Sequence, residues 1–184
     1  MANIHATAVV DPSAKLGPNV EIGPFCVIGP HVELGEGTVV HSHAVITGRT
    51  TLGAECKVFP FACVGKAPQD IKFHDEPSTI TIGPRTIIRE HVTINPGTDR
   101  GHMATKVGSD CFLMIGSHIA HDCEVGNNVT LVNAATLAGH VSVGDGAILG
   151  GLSAVHQFVR IGAYAFVGGM SAIGADVIPF GMAI

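Results

Sequence analysis

The sequence predicts an all-β chain wound as a parallel β-solenoid, and three observations carry that prediction. First, every sixth residue from Val107 to Ile173 is aliphatic: Val107, Leu113, Ile119, Val125, Leu131, Leu137 and onward without a slip. Neither a helical period of 3.6 nor a simple alternation explains a spacing of six held over so many steps, whereas a coil of short strands does. Second, the residue four places after each anchor is small or modest, as in Cys111, Ser117, Cys123, Val129 and Ala135, continuing to Val177. One large and one small residue per hexad fits a narrow coil, in which the anchor fills the lumen and the small residue lets the backbone turn. Third, the chain of 184 residues holds 24 glycines and is only 14% charged. That glycine content is about double ordinary usage, and the charge is too low for the helix surfaces of an α/β enzyme.

The elements follow in order. A first array of anchors runs from Ile4 through Val10, Leu16, Ile22, Ile28, Leu34, Val40, Ile46, Leu52 and Val58 to Val64. Leu16, Ile22 and Ile28 are each followed by Gly-Pro, the punctuation of a turn. The repeat then stops over 66–81, a charged stretch with two prolines, and resumes at Ile82, Ile88 and Ile94. Because Ile82 lies a whole number of hexads after Val64, the register is kept across the gap. A second interruption over 96–106 shifts the count, since Val107 lies one place beyond the second hexad after Ile94. Both stretches read as loops ejected from the coil, and such loops often carry function. The expectation is one domain over 1–184, with three hexads to a coil. Ile184 follows the last hexad directly, so a C-terminal cap for the final coil is expected to be absent from this chain.

Composition limits the function classes. An apolar content of 46% excludes disorder, and a net charge of −5 argues against non-specific nucleic-acid binding. Seven of the ten basic residues nevertheless fall between Lys57 and Lys106, which reads as a solvated face or as a patch for an acidic partner. No apolar run reaches membrane-spanning length, and MANIHATAVV lacks the features of a signal peptide. Cys26, Cys56, Cys111 and Cys123 all occupy small slots and read as buried thiols of a reducing compartment. A cytoplasmic location is expected.

The chemistry gathers on one wall. Counted in coils of three hexads from Val107, His121, His140 and His156 fall on the same third of three successive coils, with His118 at the adjoining corner. None is an anchor or a small-slot residue, so none is needed to fill the lumen. A single histidine is more often a packing or surface residue, but four collected by the fold's own period weaken that explanation. Two functional readings stand: a zinc site, and general-base catalysis by an imidazole beside a carboxylate such as Asp122. The HxxH spacing of His118 and His121 is weak evidence for zinc, and no third ligand falls at a decisive spacing. Ser117 and Cys123 sit in inward slots, which argues against a covalent intermediate. Gly139 presents an N–H with no side chain in front of it.

Together, HIAHDCEVGN (118–127), NAATLAGHVSVGD (133–145), AVHQF (154–158) and GKAPQDIKF (65–73) closely resemble the acyl-[acyl carrier protein]–UDP-N-acetylglucosamine O-acyltransferases of lipid A synthesis. The resemblance covers essentially the whole chain. It implies a left-handed β-helix of hexapeptide repeats, a homotrimer with sites between subunits, and no metal or other cofactor. It also implies acyl carrier protein and UDP-N-acetylglucosamine as substrates. Carried over by residue, it makes His121 the general base, Asp122 its neighbour in the motif, and Gly139 the oxyanion donor. Asp70 and Lys72 would contact sugar nucleotide or acyl donor, His118, His140 and Gln157 would line the cleft, and Gly169 would lie near the end of an acyl-chain groove. The rival readings are a coenzyme A-dependent hexapeptide acetyltransferase and a zinc enzyme of the carbonic anhydrase type.

Overall fold

Each hexad becomes one short strand and one turn, and three of them close a triangular coil. The computed structural model describes Met1–Ile184, has no helix, and stacks its strands into three parallel sheets of ten, nine and eight strands. The first face runs from Asn3–Ile4 to Met182–Ala183, the second from Val9–Val10 to Ala172–Ile173, and the third from Lys15–Leu16 to Arg160–Ile161. Within an array each strand pairs in register with the one three hexads later, as Val9 with Val27 and Thr130 with Ile148. Strand N–H groups donate to carbonyls of the neighbouring coil, which pairs the strands' main chain without helices.

Anchors and small slots both face the lumen. Leu113, Ile119, Leu131, Leu137 and Leu149 are fully buried, and so are Cys26, Cys56, Val129, Ala135 and Ala147. Together they form one continuous core of 39 residues, and each fully buried Leu or Ile contributes about 1.5–3 kcal/mol. Ser117 and Cys123 point inward, as their slots require, both at 0% exposure.

Glycine does a different job from the one the composition suggests. The left-handed position of most corners is held by a side-chain residue, among them Phe25, His43, Phe61, His91, Asp122, His140 and Phe158, with φ between 58° and 67°. Each such residue costs about 1–2 kcal/mol in isolation. Many glycines instead sit directly after the anchor, where the next coil passes close by. A Cβ on Gly53 would stand 2.6 Å from Pro84 N, and one on Gly35 would stand 2.6 Å from the Gly53 carbonyl carbon. The residue after that, two past the anchor, donates its N–H to no main-chain carbonyl. Proline therefore fits there without losing a bond, at Pro12, Pro18, Pro24, Pro30, Pro60, Pro84 and Pro96.

Both interruptions leave the coil at the same place, the corner between the second and third faces. Ile82 pairs with Leu52, five hexads back where an unbroken coil has three, so the first loop inserts the length of two hexads. Val107 pairs with Ile82, one place more than four hexads back, so the second loop inserts one hexad and a single extra position. The chain rejoins the coil earlier than the anchors alone suggest. Thr79–Ile82 and Ala104–Val107 are longer strands than most, with Ile80 and Thr105 buried beside the anchors. The last coil also departs from the hexad count. Val177, expected in a small slot, bridges to the anchor Ile161, and Met182 pairs with Phe166, two positions short of a full coil. The shortening falls between Ile173 and Val177, so Val177 takes an anchor's place.

Candidate active site

The second-to-third-face corner carries the reactive groups. Strand register aligns His118 with Thr136 and Ala154, and Ile119 with Leu137 and Val155. Continuing around the corner, His121 lies in line with Gly139 and Gln157, and Asp122 with His140 and Phe158. His156 is one place earlier, in line with Ala138. The three histidines thus occupy one corner of three adjacent coils, and none enters the lumen: His121 and His140 are half-buried and His156 is exposed.

Asp122 is the most enclosed charge on this wall, with a side chain at 0% exposure. Its carboxylate accepts from Thr98 N at 3.0 Å, Thr98 Oγ1 at 2.7 Å and His102 N at 2.8 Å. His121 Nδ1 lies 2.9 Å from Oδ2. Burial pushes the Asp122 carboxyl up, but the hydrogen bonds from His121, Thr98 and His102 outweigh it and hold the group below the ordinary carboxylate range. An ionised carboxylate can only accept, so Nδ1 must carry the hydrogen and Nε2 is left with a lone pair.

That lone pair sits against Gly139. A Cβ at Gly139 would stand 2.6 Å from His121 Nε2, so any side chain there would displace the ring. Gly139 occupies the position two past its anchor Leu137, and its N–H meets no acceptor in the protein. A nitrogen able to take a proton and a free N–H donor are therefore neighbours.

The surrounding histidines are shifted toward the neutral form. His118 Nδ1 lies 2.7 Å from Thr93 Oγ1, and burial, reinforced by His121, lowers its pKa. His140 stacks on Phe158 at 4.5 Å between centroids and meets His121 edge-on at 5.0 Å. Burial lowers its pKa, with His121 and His102 acting in the same sense, while Asp122 and Asp70 oppose. Both rings are held neutral at pH 7, suited to hydrogen bonding rather than to holding charge.

Asp70 lies in the first ejected loop, close enough to act on His140, and its Oδ1 accepts from Lys72 N at 3.0 Å. Lys72 itself is exposed, and so is Gln157, whose main-chain oxygen lies 3.2 Å from His156 Nδ1. Gly169 lies elsewhere, at the corner between the first and second faces. A Cβ there would be 3.3 Å from Gly151 O, a close contact that the neighbouring backbone would have to relax to accept. Between the two corners runs the outer surface of the second face. There Thr136, Ala138, Ala154, His156, Ala172 and Gly174 border a largely apolar groove of about 360 Å³. Sequence reasoning did not single out these small residues, although three of them recur one coil apart on an outward position. Thr98 was also missed, and no period marks it.

Ligand atoms of His121, Asp122 and His140 lie within 4.8 Å of one another, a spacing that could hold a cation. The donor set fits zinc poorly. Both Asp122 oxygens already accept main-chain N–H groups, and Oδ2 also faces His121 Nδ1 and the Thr98 hydroxyl. A metal would have to break that enclosure and would keep only two imidazoles.

A coil of hexads closed by three parallel sheets defines a class: the left-handed parallel β-helix proteins. The bacterial transferase hexapeptide family (six repeats) matches residues 13–48 and 104–139. The structure of LpxA from Acinetobacter baumannii is 45% identical, with a TM-score of 0.96, over 97% of this chain and 69% of that one. UDP-N-acetylglucosamine acyltransferase from Campylobacter jejuni is 42% identical, with a TM-score of 0.95, over 98% and 70%. The chain belongs to the UDP-N-acetylglucosamine acyltransferase family, and it is an acyltransferase. The acetyltransferase domain of PglB from Neisseria gonorrhoeae, solved with acetyl coenzyme A, is 20% identical with a TM-score of 0.56 and shares the fold alone.

Proposed function

We propose that this chain transfers an acyl group, 3-hydroxylated or plain, from acyl carrier protein to the 3-hydroxyl of UDP-N-acetylglucosamine. That reaction is the first step of lipid A biosynthesis. The observation that carries the mechanism is the His121–Asp122 pair, with its bare Nε2 beside the free N–H of Gly139. His121 Nε2 takes the proton of the sugar hydroxyl as its oxygen attacks the thioester carbonyl. The new C–O bond forms, Gly139 N–H receives the oxyanion, and Asp122 stabilises the imidazolium. The C–S bond then breaks, and the proton on His121 passes to the departing thiolate. General-base assistance supplies about 10²–10⁴ in rate, and one oxyanion donor about 10²–10³. An activated thioester needs no covalent intermediate, in keeping with the inward Ser117 and Cys123.

The apolar groove between Thr136 and Gly174 is of the right chemistry for the acyl chain and begins beside His121 and Gly139. Gly169, at the far edge of the same face, would end it if the chain crosses that face. Asp70, Lys72, His118, His140 and Gln157 would hold the sugar nucleotide and donor. The working form is a homotrimer in the cytoplasm, with the first ejected loop, 66–81, turned toward a neighbouring subunit. The test is direct assay of the His121→Ala protein with acyl-[acyl carrier protein] and UDP-N-acetylglucosamine, with light scattering for the assembly. The reading requires kcat to fall at least about a hundredfold in a protein that keeps its fold and mass. Turnover near that of the parent removes His121 from the mechanism.

A further inference from the structure

The second ejected loop touches the proposed base only through Asp122, and it does so with unusual thoroughness. Thr98 is 2% exposed and places two donors on the carboxylate, its N–H at 3.0 Å and its hydroxyl at 2.7 Å from Oδ2. His102 N adds a third, 2.8 Å from Oδ1. Two glycines let the loop close this far. A Cβ on Gly97 would stand 2.8 Å from Asp122 Oδ1, and one on Gly101 would run into the carboxylate carbon. The loop is fixed at its root by Asn95, whose Nδ2 donates to Lys66 O at 3.0 Å and so ties it to the first ejected loop. The carboxylate cannot turn without breaking several of these bonds at once. Asp122 also stands in a left-handed backbone conformation, φ 58°, held from the other side by its own N–H to Thr105 Oγ1 at 2.9 Å.

We infer that Thr98 is a positioning residue for acyl transfer: its hydroxyl locks the Asp122 carboxylate in the one orientation that keeps hydrogen on His121 Nδ1 and leaves Nε2 bare. The inference rests on the proposed role of His121 and adds what sets that residue's tautomer and aim. An imidazole acting as a base must be held in one orientation by the group behind it, and at metal-bound imidazoles loss of such an orienting partner typically costs roughly 10–100-fold. Thr98 is buried and reaches no substrate-accessible surface, so its effect belongs in kcat and not in substrate binding.

Thr98→Val keeps the branched shape and removes the hydroxyl, while Thr98→Ser keeps the hydroxyl and removes the methyl. The expected result is a loss of kcat of about tenfold or more in the valine variant, with KM for both substrates unchanged and recovery in the serine variant. Gly101→Ala, whose Cβ would run into the carboxylate and hold the loop off it, should reproduce the kcat loss. If Thr98→Val fails to fold, parent-like kcat in Gly101→Ala overturns the inference in its place. Parent-like kcat in Thr98→Val overturns the inference, as does an equal loss in Thr98→Ser, or a rise in KM with kcat intact. His121→Ala assayed alongside separates the two claims. If it is inactive while Thr98→Val is parent-like, only the role of Thr98 falls. If it is active, the general-base reading falls first.

Discussion

Stacked rings occupy all three corners of this prism, and the two columns that contain histidine differ in what surrounds their imidazoles. At the corner between the first and second faces, Phe25, His43, Phe61 and His91 form a ladder with centroids 5.1–5.2 Å apart. At the corner between the second and third faces, His140 stacks on Phe158 at 4.5 Å, and His121 meets His140 at 5.0 Å. Backbone conformation is shared: His43, His91, Asp122 and His140 all sit in the left-handed position that each turn supplies. The first ladder is exposed and has no carboxylate bonded to an imidazole. The second has Asp122, sealed under a loop, with His121 directed by it. Imidazole content therefore does not distinguish a site on this scaffold. What sets the second column apart is a buried carboxylate bonded on both oxygens.

The largest expected effect tests that contrast directly. His121→Ala should lose at least about a hundredfold in kcat, whereas His43→Ala should retain parent activity in the same assay. His118→Ala and His140→Ala should fall between them. Chelator treatment should leave the parent unaffected, and loss of activity with release of metal would restore the zinc reading.

Next comes Asp122→Asn, which removes the charge and frees Nδ1 from its fixed role. It should lower kcat by about tenfold or more and also change the response to acid. The folded-state carboxyl is held below its ordinary value of 3.8. Its contribution to stability is therefore complete above that value and is lost as pH falls below 3.8 toward the folded-state pKa. Thermal melts should show the parent losing an increment of Tm in that window that the asparagine variant does not lose.

A smaller change is expected at the far edge of the second face. Gly169→Met should move donor preference toward shorter acyl chains with little effect on the best kcat. An unchanged profile across a series of acyl carrier protein thioesters would show that the chain does not reach that corner.

The smallest effect lies in the lumen. Ser117 Oγ and Ser153 Oγ are buried without a hydrogen-bond partner. Ser153→Ala should raise stability by up to about 1 kcal/mol and leave kcat untouched, read by urea melts and assay together.

What the amino-acid order determined alone is everything that repeats. Anchors and small slots define the coil because each hexad meets the same neighbours one coil away, so a local period becomes a lattice. That lattice was enough to bring His121, His140 and His156 to one corner and to turn Ser117 and Cys123 inward. Even the free N–H of Gly139 has a trace in the sequence, since prolines occupy the same place in other corners. The tertiary structure decided what has no period. The loop carrying Thr98 closes on a carboxylate from the following coil, and no spacing rule connects the two. The shortening before Val177, which turns a small slot into an anchor, was likewise invisible to a count of six. Both depend on how an inserted or shortened segment packs against coils already formed. Such packing is settled by shape and hydrogen-bond satisfaction in three dimensions.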